Sequence, residues 1–147
     1  SNVYKGYDTT MITSEFRSLS ERLFEKYCEK SERVKFVYKN GDTGQQYLSI
    51  VYGTNFDKQR LFYPDYIVQL VDGTIWLIEA KGGESKGHSK NIDVQVENKF
   101  EAFKRFANEH NYNFGFVRER DEELYLNSTE YVEDMSHSSW ELLEDKF

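Results

Sequence analysis

Apolar residues recur at helical spacing in two stretches of the chain. In the first stretch, from about residue 13 to residue 30, they return every three or four positions, which is typical of one face of an α-helix; they are Phe16, Leu19, Leu23, Phe24 and Tyr27. The second stretch begins at Ile92 or Asp93 and ends at Glu109, with Val96, Phe100, Phe103 and Ala107 on one stripe. We therefore predict two amphipathic helices.

Short apolar and β-branched runs bounded by turn residues predict the strands. They lie at residues 34–38, 47–52, 61–70, 74–81, 112–118 and 123–126. Polar stretches at 55–59 and 82–91 are predicted loops, and a short helix is predicted near Trp140 to Glu144. The core order α-β-β-β-α-β predicts an α/β (α+β) fold, in which helices flank a mixed sheet.

Length and composition narrow the range of proteins to which the chain can belong. Its 147 residues predict a single domain with a core at about 13–126 and an acidic tail at 127–147. The lone Cys28 cannot form an internal disulfide, and no apolar run is long enough to span a membrane. We expect a cytoplasmic protein with no membrane partner. The net charge of −7 argues against a broad basic surface for nucleic acid.

Three charged residues stand in the apolar hairpin that runs from Tyr63 to Gly82. Asp65 lies within the predicted strand at 61–70, whereas Glu79 and Lys81 end the other strand. Unpaired charges are seldom buried, so charged residues here make little sense as packing. Two carboxylates beside a lysine favour a metal-dependent hydrolytic site. The alternative is a turn-capping Asp65 beside exposed residues of an edge strand.

The register of the hairpin decides whether the two acids meet. A two-residue loop at 72–73 would place Asp65 and Glu79 on opposite faces, unless a bulge beside Pro64 restored the pairing. A three-residue loop at 71–73 places Asp65 directly opposite Glu79. We favour the three-residue loop. Ile67 and Leu77 then continue the charged face into the core, and the other face carries Tyr66, Val68, Trp76 and Ile78.

The order Pro64-Asp65 followed by Glu79-x-Lys81 resembles the PD-(D/E)XK nuclease superfamily. The segments 62–65 and 78–82 look most like the C-terminal endonuclease domain of the restriction subunit of type III restriction enzymes. The resemblance covers roughly residues 13–118. It implies a restriction-endonuclease-like fold and a magnesium-dependent endodeoxyribonuclease that hydrolyses DNA phosphodiester bonds.

Magnesium prefers hard oxygen ligands and keeps several waters, so two carboxylates and a backbone carbonyl can hold it. Asp65, Glu79 and the carbonyl of Ala80 are the predicted metal ligands. Lys81 would orient the attacking water or stabilise the developing negative charge. The resemblance assigns catalytic roles to Asp65, Glu79 and Lys81.

The two helices offer auxiliary residues for this site. The resemblance implies that the first helix supplies a glutamate to the metal site. Glu21, at the edge of the first apolar stripe, is the expected residue, whereas Glu25 is expected to point further into solvent. Lys99 lies inside the second stripe with Gln95 one turn earlier, so an acidic pocket would supply the partner that Lys99 needs. The alternatives are a solvated Glu21 and a Lys99 that extends past the sheet edge into water.

The resemblance also implies partners. The substrate would be double-stranded DNA, and the chain would be a fragment of a larger helicase-nuclease polypeptide that works with a methyltransferase subunit. ATP would then be used only by the helicase domain outside this chain. Two alternatives remain, another repair or phage nuclease of the superfamily and a catalytically silent relative that binds nucleic acid or protein.

A local basic rim for phosphates is predicted from five residues, Lys58, Arg60, Lys86, Lys90 and Lys99. The three histidines, His88, His110 and His137, lack the spacing of a metal site.

Overall fold

The computed structural model describes residues 19–40, 50–53, 59–81 and 90–147, with the backbone alone at 50–53, 59–62 and 90–95. The helices are α1 (Leu19–Lys30) and α2 (Lys90–Glu109). The strands are β1 (Val34–Lys39), β2 (Ile50–Gly53), β3 (Gln59–Phe62), β4 (Tyr66–Leu70), β5 (Ile75–Ala80), β6 (Asn113–Arg120), β7 (Glu123–Asn127) and β8 (Glu141–Leu142). A 3₁₀ turn follows at Leu143–Asp145.

Six of the described strands form one mixed sheet in the order β1-β4-β5-β6-β7-β8. The pair β5–β6 is parallel and the other neighbours are antiparallel. A parallel pair needs a long crossover, and α2 lies in the connection between β5 and β6. The strands β2 and β3 form a separate two-stranded sheet. The predicted α+β class, a mixed sheet flanked by helices, is confirmed.

Each face of the main sheet packs against one helix. Phe24 and Cys28 of α1 share a cluster of buried residues with Tyr66, Val68 and Ile78. On the other face, residues of α2 pack with Leu77 and with residues of β6; this cluster includes Phe100, Phe103, Phe114 and Phe116. Successive residues along a strand point to opposite faces of the sheet. The prediction of which hairpin residues lie on each face is confirmed.

The predicted strand at 61–70 is wrong, because the structure divides it. The strand β3 ends at Phe62 and pairs with β2, whereas β4 begins at Tyr66 in the main sheet. Pro64 has no amide hydrogen for a ladder and restricts the residue before it, so the chain leaves one sheet and enters the other here. Asp65 consequently stands at the entrance to β4.

The helix boundaries also differ from the predictions. α1 begins at Leu19 among the described residues, and residues 13–18 of the predicted helix lie outside them. α2 begins at Lys90, so the predicted loop at 82–91 is wrong at its last two residues, and 82–89 lie outside the described part. The first turn of α2 is polar, and for that reason periodicity missed it. In the described part of the chain, neither helix is long and apolar enough to cross a membrane.

The predicted boundary of the core at residue 126 is wrong. Trp140, Leu143 and Phe147 are 7%, 0% and 1% exposed, and they complete both hydrophobic clusters. The strand β8 pairs with β7, and a 3₁₀ turn replaces the short helix predicted near residues 140–144. The segment is acidic and its buried apolar residues are few and widely spaced, so the sequence pattern did not indicate that it belongs to the core.

Candidate active site

A three-residue loop joins β4 to β5. The Leu70 amide donates to the Thr74 carbonyl oxygen at 2.9 Å, and the Gly73 amide donates to the Leu70 carbonyl oxygen at 2.9 Å. Gly73 has a φ of 95°, a left-handed conformation that glycine adopts without strain. The Asp72 carboxylate accepts from the Thr74 amide at 2.9 Å and stabilises the turn. The predicted loop is confirmed.

This loop sets a register in which Tyr66 pairs with Ile78. One position further from the loop, Asp65 faces Glu79 across the two strands, as the three-residue loop predicted. The Asp65 carboxylate accepts a hydrogen bond from the Ala80 amide at 2.8 Å. The backbone of β5 therefore fixes Asp65 beside the residue it faces.

The two carboxyl groups hydrogen-bond to each other. Burial raises the pKa of Glu79 well above its usual range, and the charge of Asp65 adds to this effect. Burial also raises the pKa of Asp65, although the hydrogen bonds from Glu79 and from the Ala80 amide oppose it. Glu79 is thus the hydrogen-bond donor of the pair, and Asp65 is the acceptor. Two carboxyl groups in contact do not both ionise unless a cation lies beside them.

Lys81 follows Ala80, the last residue of β5, and the alternation along the strand puts it on the same face as Glu79. Its amide donates to the Val117 carbonyl oxygen at 2.7 Å, which ties the strand end to β6. Burial lowers the pKa of the Lys81 ammonium, whereas the negative charges of Glu133 and Glu79 oppose that change. The Nζ atom lies 5.9 Å from the centroid of the Tyr131 ring. The Lys81 ammonium is therefore near enough to Glu79 to attract it.

Residues 41–119 match the family described as TnsA-like endonuclease N terminal, which is more than half of the chain and contains Asp65, Glu79 and Lys81. The chain belongs to this family. Its membership supports the PD-(D/E)XK superfamily and an endonuclease. No curated protein matches the chain.

In this member of the TnsA-like family, α2 contributes a positive charge to the site. The Lys99 charge favours the ionised form of Glu79 and lowers the pKa of that carboxyl group. It also disfavours the charged form of Lys81, so the two lysines share one neighbourhood. Gln95 belongs to α2, but its side chain lies outside the described residues.

Two acids of the first helix, Glu21 and Glu25, act on residues at the start of β4. The charge of Glu21 raises the pKa of Asp65, so Glu21 is near enough to act on that carboxyl group. Glu25 does not point into solvent, and that prediction is wrong. Its side chain is 13% exposed, accepts a hydrogen bond from the Tyr66 hydroxyl, and lies 3.9 Å from the Lys39 Nζ. The buried hydroxyl of Tyr66 needs an acceptor, and Glu25 is one helical turn from Glu21.

Asn40 is a buried residue at the site that the sequence did not single out. Its backbone amide donates to the Asp65 carbonyl oxygen at 2.8 Å. Its side-chain Nδ2 donates to the Pro64 carbonyl oxygen at 2.9 Å. These bonds hold the Pro64-Asp65 peptide where it enters β4. In the sequence, Asn40 followed by Gly41 indicates only a turn. The side chain of Asn40 also binds the Pro64 carbonyl oxygen, 24 residues further along the chain, and no local sequence pattern reveals a contact at that separation.

The acidic pair fits a divalent cation. Its two carboxyl groups now share a proton, and the buried Glu79 Oε1 has no hydrogen-bond partner in the described part of the chain. Hard oxygen donors suit magnesium, which also keeps waters. Among the described residues no three His, Cys, Asp or Glu side chains form a metal cluster, so water, substrate or a backbone carbonyl would complete the coordination.

Among the described residues, the histidines and the predicted basic rim contribute little to the candidate active site. His110 stacks on Phe106 with ring centroids 4.1 Å apart, and His137 lies 3.8 Å from Glu130. Lys58, Lys86 and His88 lie outside the described residues, as do the side chains of Arg60 and Lys90. Of the predicted rim, the structure describes the side chain of Lys99, whose charge acts on Glu79.

Proposed function

We propose that this chain is a magnesium-dependent endonuclease domain that hydrolyses phosphodiester bonds of DNA. The observation that carries the proposal is the hairpin register, which sets Asp65 opposite Glu79 with Lys81 two residues beyond. Membership of an endonuclease family supports the same reaction class.

Asp65 and Glu79 would hold the ion after losing the proton they share, and the carbonyl of Ala80 would add a third oxygen. A bound magnesium ion polarises the scissile phosphate and makes a coordinated water more acidic. The Ala80 amide keeps Asp65 oriented through its hydrogen bond of 2.8 Å. Asn40 fixes the backbone on the other side of Asp65. Both ligands are thereby placed before substrate arrives.

Lys81 acts in this proposal as an ammonium group. Its positive charge near the scissile phosphate would orient the water and stabilise the negative charge that develops. Glu133 and Glu79 favour the charged form against the effect of burial. Lys99 and Glu21 are auxiliary residues that adjust the charge of the acidic pair, and Gln95 is proposed to contact substrate or water nearby.

The larger context is a separate part of the proposal. A net charge of −7 suits a cleavage module that depends on its partners for DNA affinity. The residues around Asp65 and Glu79 support a type III restriction subunit as the parent, with a helicase domain that uses ATP and a separate methyltransferase subunit. A single buried thiol, Cys28, fits a reducing cytoplasm.

Plasmid nicking by the parent protein tests the proposed reaction. We expect supercoiled DNA to be cut in magnesium but not in EDTA. Lys81→Met should lower the rate by at least about a hundredfold because charge stabilisation is lost. Lys35→Met, which removes an exposed lysine from β1, is the matched control and should cut normally.

Cutting that continues at the normal rate in Lys81→Met would remove the lysine from the mechanism. Cutting in EDTA at the same rate as in magnesium would contradict the metal dependence. Binding of DNA without cutting, at every partner composition tried, would favour the catalytically silent relative.

A further inference from the structure

The connection between β7 and β8, residues 128–140, packs on the face of the sheet that carries the acidic pair. The Tyr131 ring lies 6.3 Å from the rings of Phe100 and Phe116, measured between centroids. The same ring lies 5.9 Å from the Lys81 Nζ. This connection lies beyond residue 119, where the family match ends.

Hydrogen bonds fix the backbone of the β7–β8 connection. The buried Asn127 side chain donates to the Glu130 carbonyl oxygen at 2.6 Å at the start of the connection. The Trp140 indole donates to the Val132 carbonyl oxygen at 2.8 Å from its other end. Trp140 is itself buried against α2 and β6. The position of Tyr131 is therefore set by the core.

Glu133 is held by the same network. The Tyr131 hydroxyl donates to the Glu133 Oε1 at 2.8 Å, and the Arg118 guanidinium donates to the Glu133 carbonyl oxygen at 3.2 Å. The charge of Glu133 attracts the Lys81 ammonium, whereas Arg118 repels it. Glu79 also attracts the Lys81 ammonium, and Lys99 repels it. Glu133 is therefore an acid that acts on Lys81 and is not one of the proposed metal ligands.

We propose that Tyr131 and Glu133 are positioning residues that hold the Lys81 ammonium beside the acidic pair. A lysine has a flexible four-carbon stem, so a residue at a strand end needs fixed contacts to keep one orientation. The ring face attracts the cation and the carboxylate limits its movement away from the ring. This inference rests on the proposed nuclease function, because it concerns the orientation of that reaction's lysine.

Steady-state cleavage by the full-length protein tests the positioning. Tyr131→Leu should lower kcat about tenfold with KM nearly unchanged, because DNA still binds while Lys81 is misplaced. Tyr131→Phe keeps the ring and should retain most of kcat. Glu133→Gln keeps an acceptor for Tyr131 but removes the charge, and should lower kcat about threefold.

The matched controls lie in the same cluster or the same connection. Tyr112→Leu removes an aromatic residue of the α2 cluster that stacks on His110, and Glu130→Gln removes an exposed acid near His137. Both should leave kcat within about twofold. Equal losses of kcat in Tyr131→Leu and Tyr112→Leu would mean general damage to the core and would overturn the positioning role.

A nuclear magnetic resonance signal of the Lys81 side chain, assigned by its loss in Lys81→Arg, gives a readout that does not need activity. The ring of Tyr131 should shift the ε-methylene signal, so Tyr131→Leu should move it and Tyr131→Phe should not. An unmoved signal in Tyr131→Leu overturns the inference. A protein that cuts no DNA in any form overturns the proposed function instead, and this signal then decides the positioning alone.

Discussion

At the scale of single residues, the acidic pair of Asp65 and Glu79 lowers the stability of the folded protein and provides oxygen ligands for a cation. Glu79 is buried with an unpartnered oxygen, and its neighbour Asp65 would repel it if both were charged. A protein that needed only a stable core would place apolar residues there. The position of these groups makes sense if a cation replaces their shared proton during function.

Glu79→Gln should make the metal-free protein more stable at neutral pH. The raised pKa of Glu79 means that the folded state binds more protons than the unfolded state. Stability therefore falls as pH rises from the unfolded pKa through the folded one, and the loss is fully present above both. Glutamine is neutral and can still donate to Asp65. We expect a gain of at least about 1 kcal/mol in urea unfolding at neutral pH in EDTA.

This gain should shrink as the pH falls through about 4, because below the unfolded pKa Glu79 is protonated in both states. Glu97→Gln, an exposed acid of α2, is the matched control and should change stability by less than about 0.5 kcal/mol. A Glu79→Gln protein that is less stable at neutral pH than the wild type would contradict the assignment of a costly buried acid.

Magnesium should stabilise the protein more at high pH than at low pH. Ligand carboxylates must lose their shared proton to bind the ion, and the pKa values of both Asp65 and Glu79 are raised. Thermal unfolding with and without magnesium should show a larger rise in Tm at about pH 8 than at about pH 6. Asp65→Asn should abolish the rise. An equal rise in wild type and Asp65→Asn would place the ion elsewhere.

At the scale of secondary-structure elements, two connections bring the site together. The loop after Leu70 fixes which residues face each other, and Asn40 at the end of β1 fixes the backbone of Asp65. Periodicity predicted the elements, but Asp72-Gly73 suits loops of either length, so the turn residues alone could not choose the register. Pro64 signals a break in the strand, although only pairing with β2 shows that two sheets meet there.

Asn40→Ala should damage both stability and cleavage. The substitution keeps the backbone hydrogen bond to Asp65 but removes the side-chain donor to the buried Pro64 carbonyl. We expect a loss of about 1–3 kcal/mol in the free energy of unfolding and a measurable fall in kcat. Asn108→Ala, at an exposed position of α2, is the control. A stability of Asn40→Ala equal to that of the control would show that this bond does not support the strand entrance.

At the scale of the whole molecule, the C-terminal segment belongs to both cores. Phe147 packs against Trp76 and Phe24 on the α1 face, with centroids 5.3 Å and 6.0 Å apart. Tyr131 packs on the α2 face. The sequence predicted an acidic tail because its charges are dense and its apolar residues sparse. Long-range contacts of this kind leave no periodic pattern, so sequence reasoning could not find them.

Phe147→Ala should destabilise the protein by about 3–5 kcal/mol, since it leaves a cavity in a packed core. Its carbonyl oxygen can still accept from the Ser31 hydroxyl, so the loss reports the ring. Val71→Ala, which shortens a side chain that is 63% exposed, is the control. Chemical denaturation measures both. A change below about 1 kcal/mol would contradict the core role of the segment.

The most direct test compares two aspartates of one hairpin in plasmid cleavage over a magnesium titration. Asp65→Asn removes a proposed ligand, whereas Asp72→Asn alters an exposed turn residue and keeps an acceptor for Thr74. We predict that Asp72→Asn cuts like the wild type and that Asp65→Asn stays at the EDTA background at every magnesium concentration. Cleavage by Asp65→Asn at the wild-type rate would contradict the account.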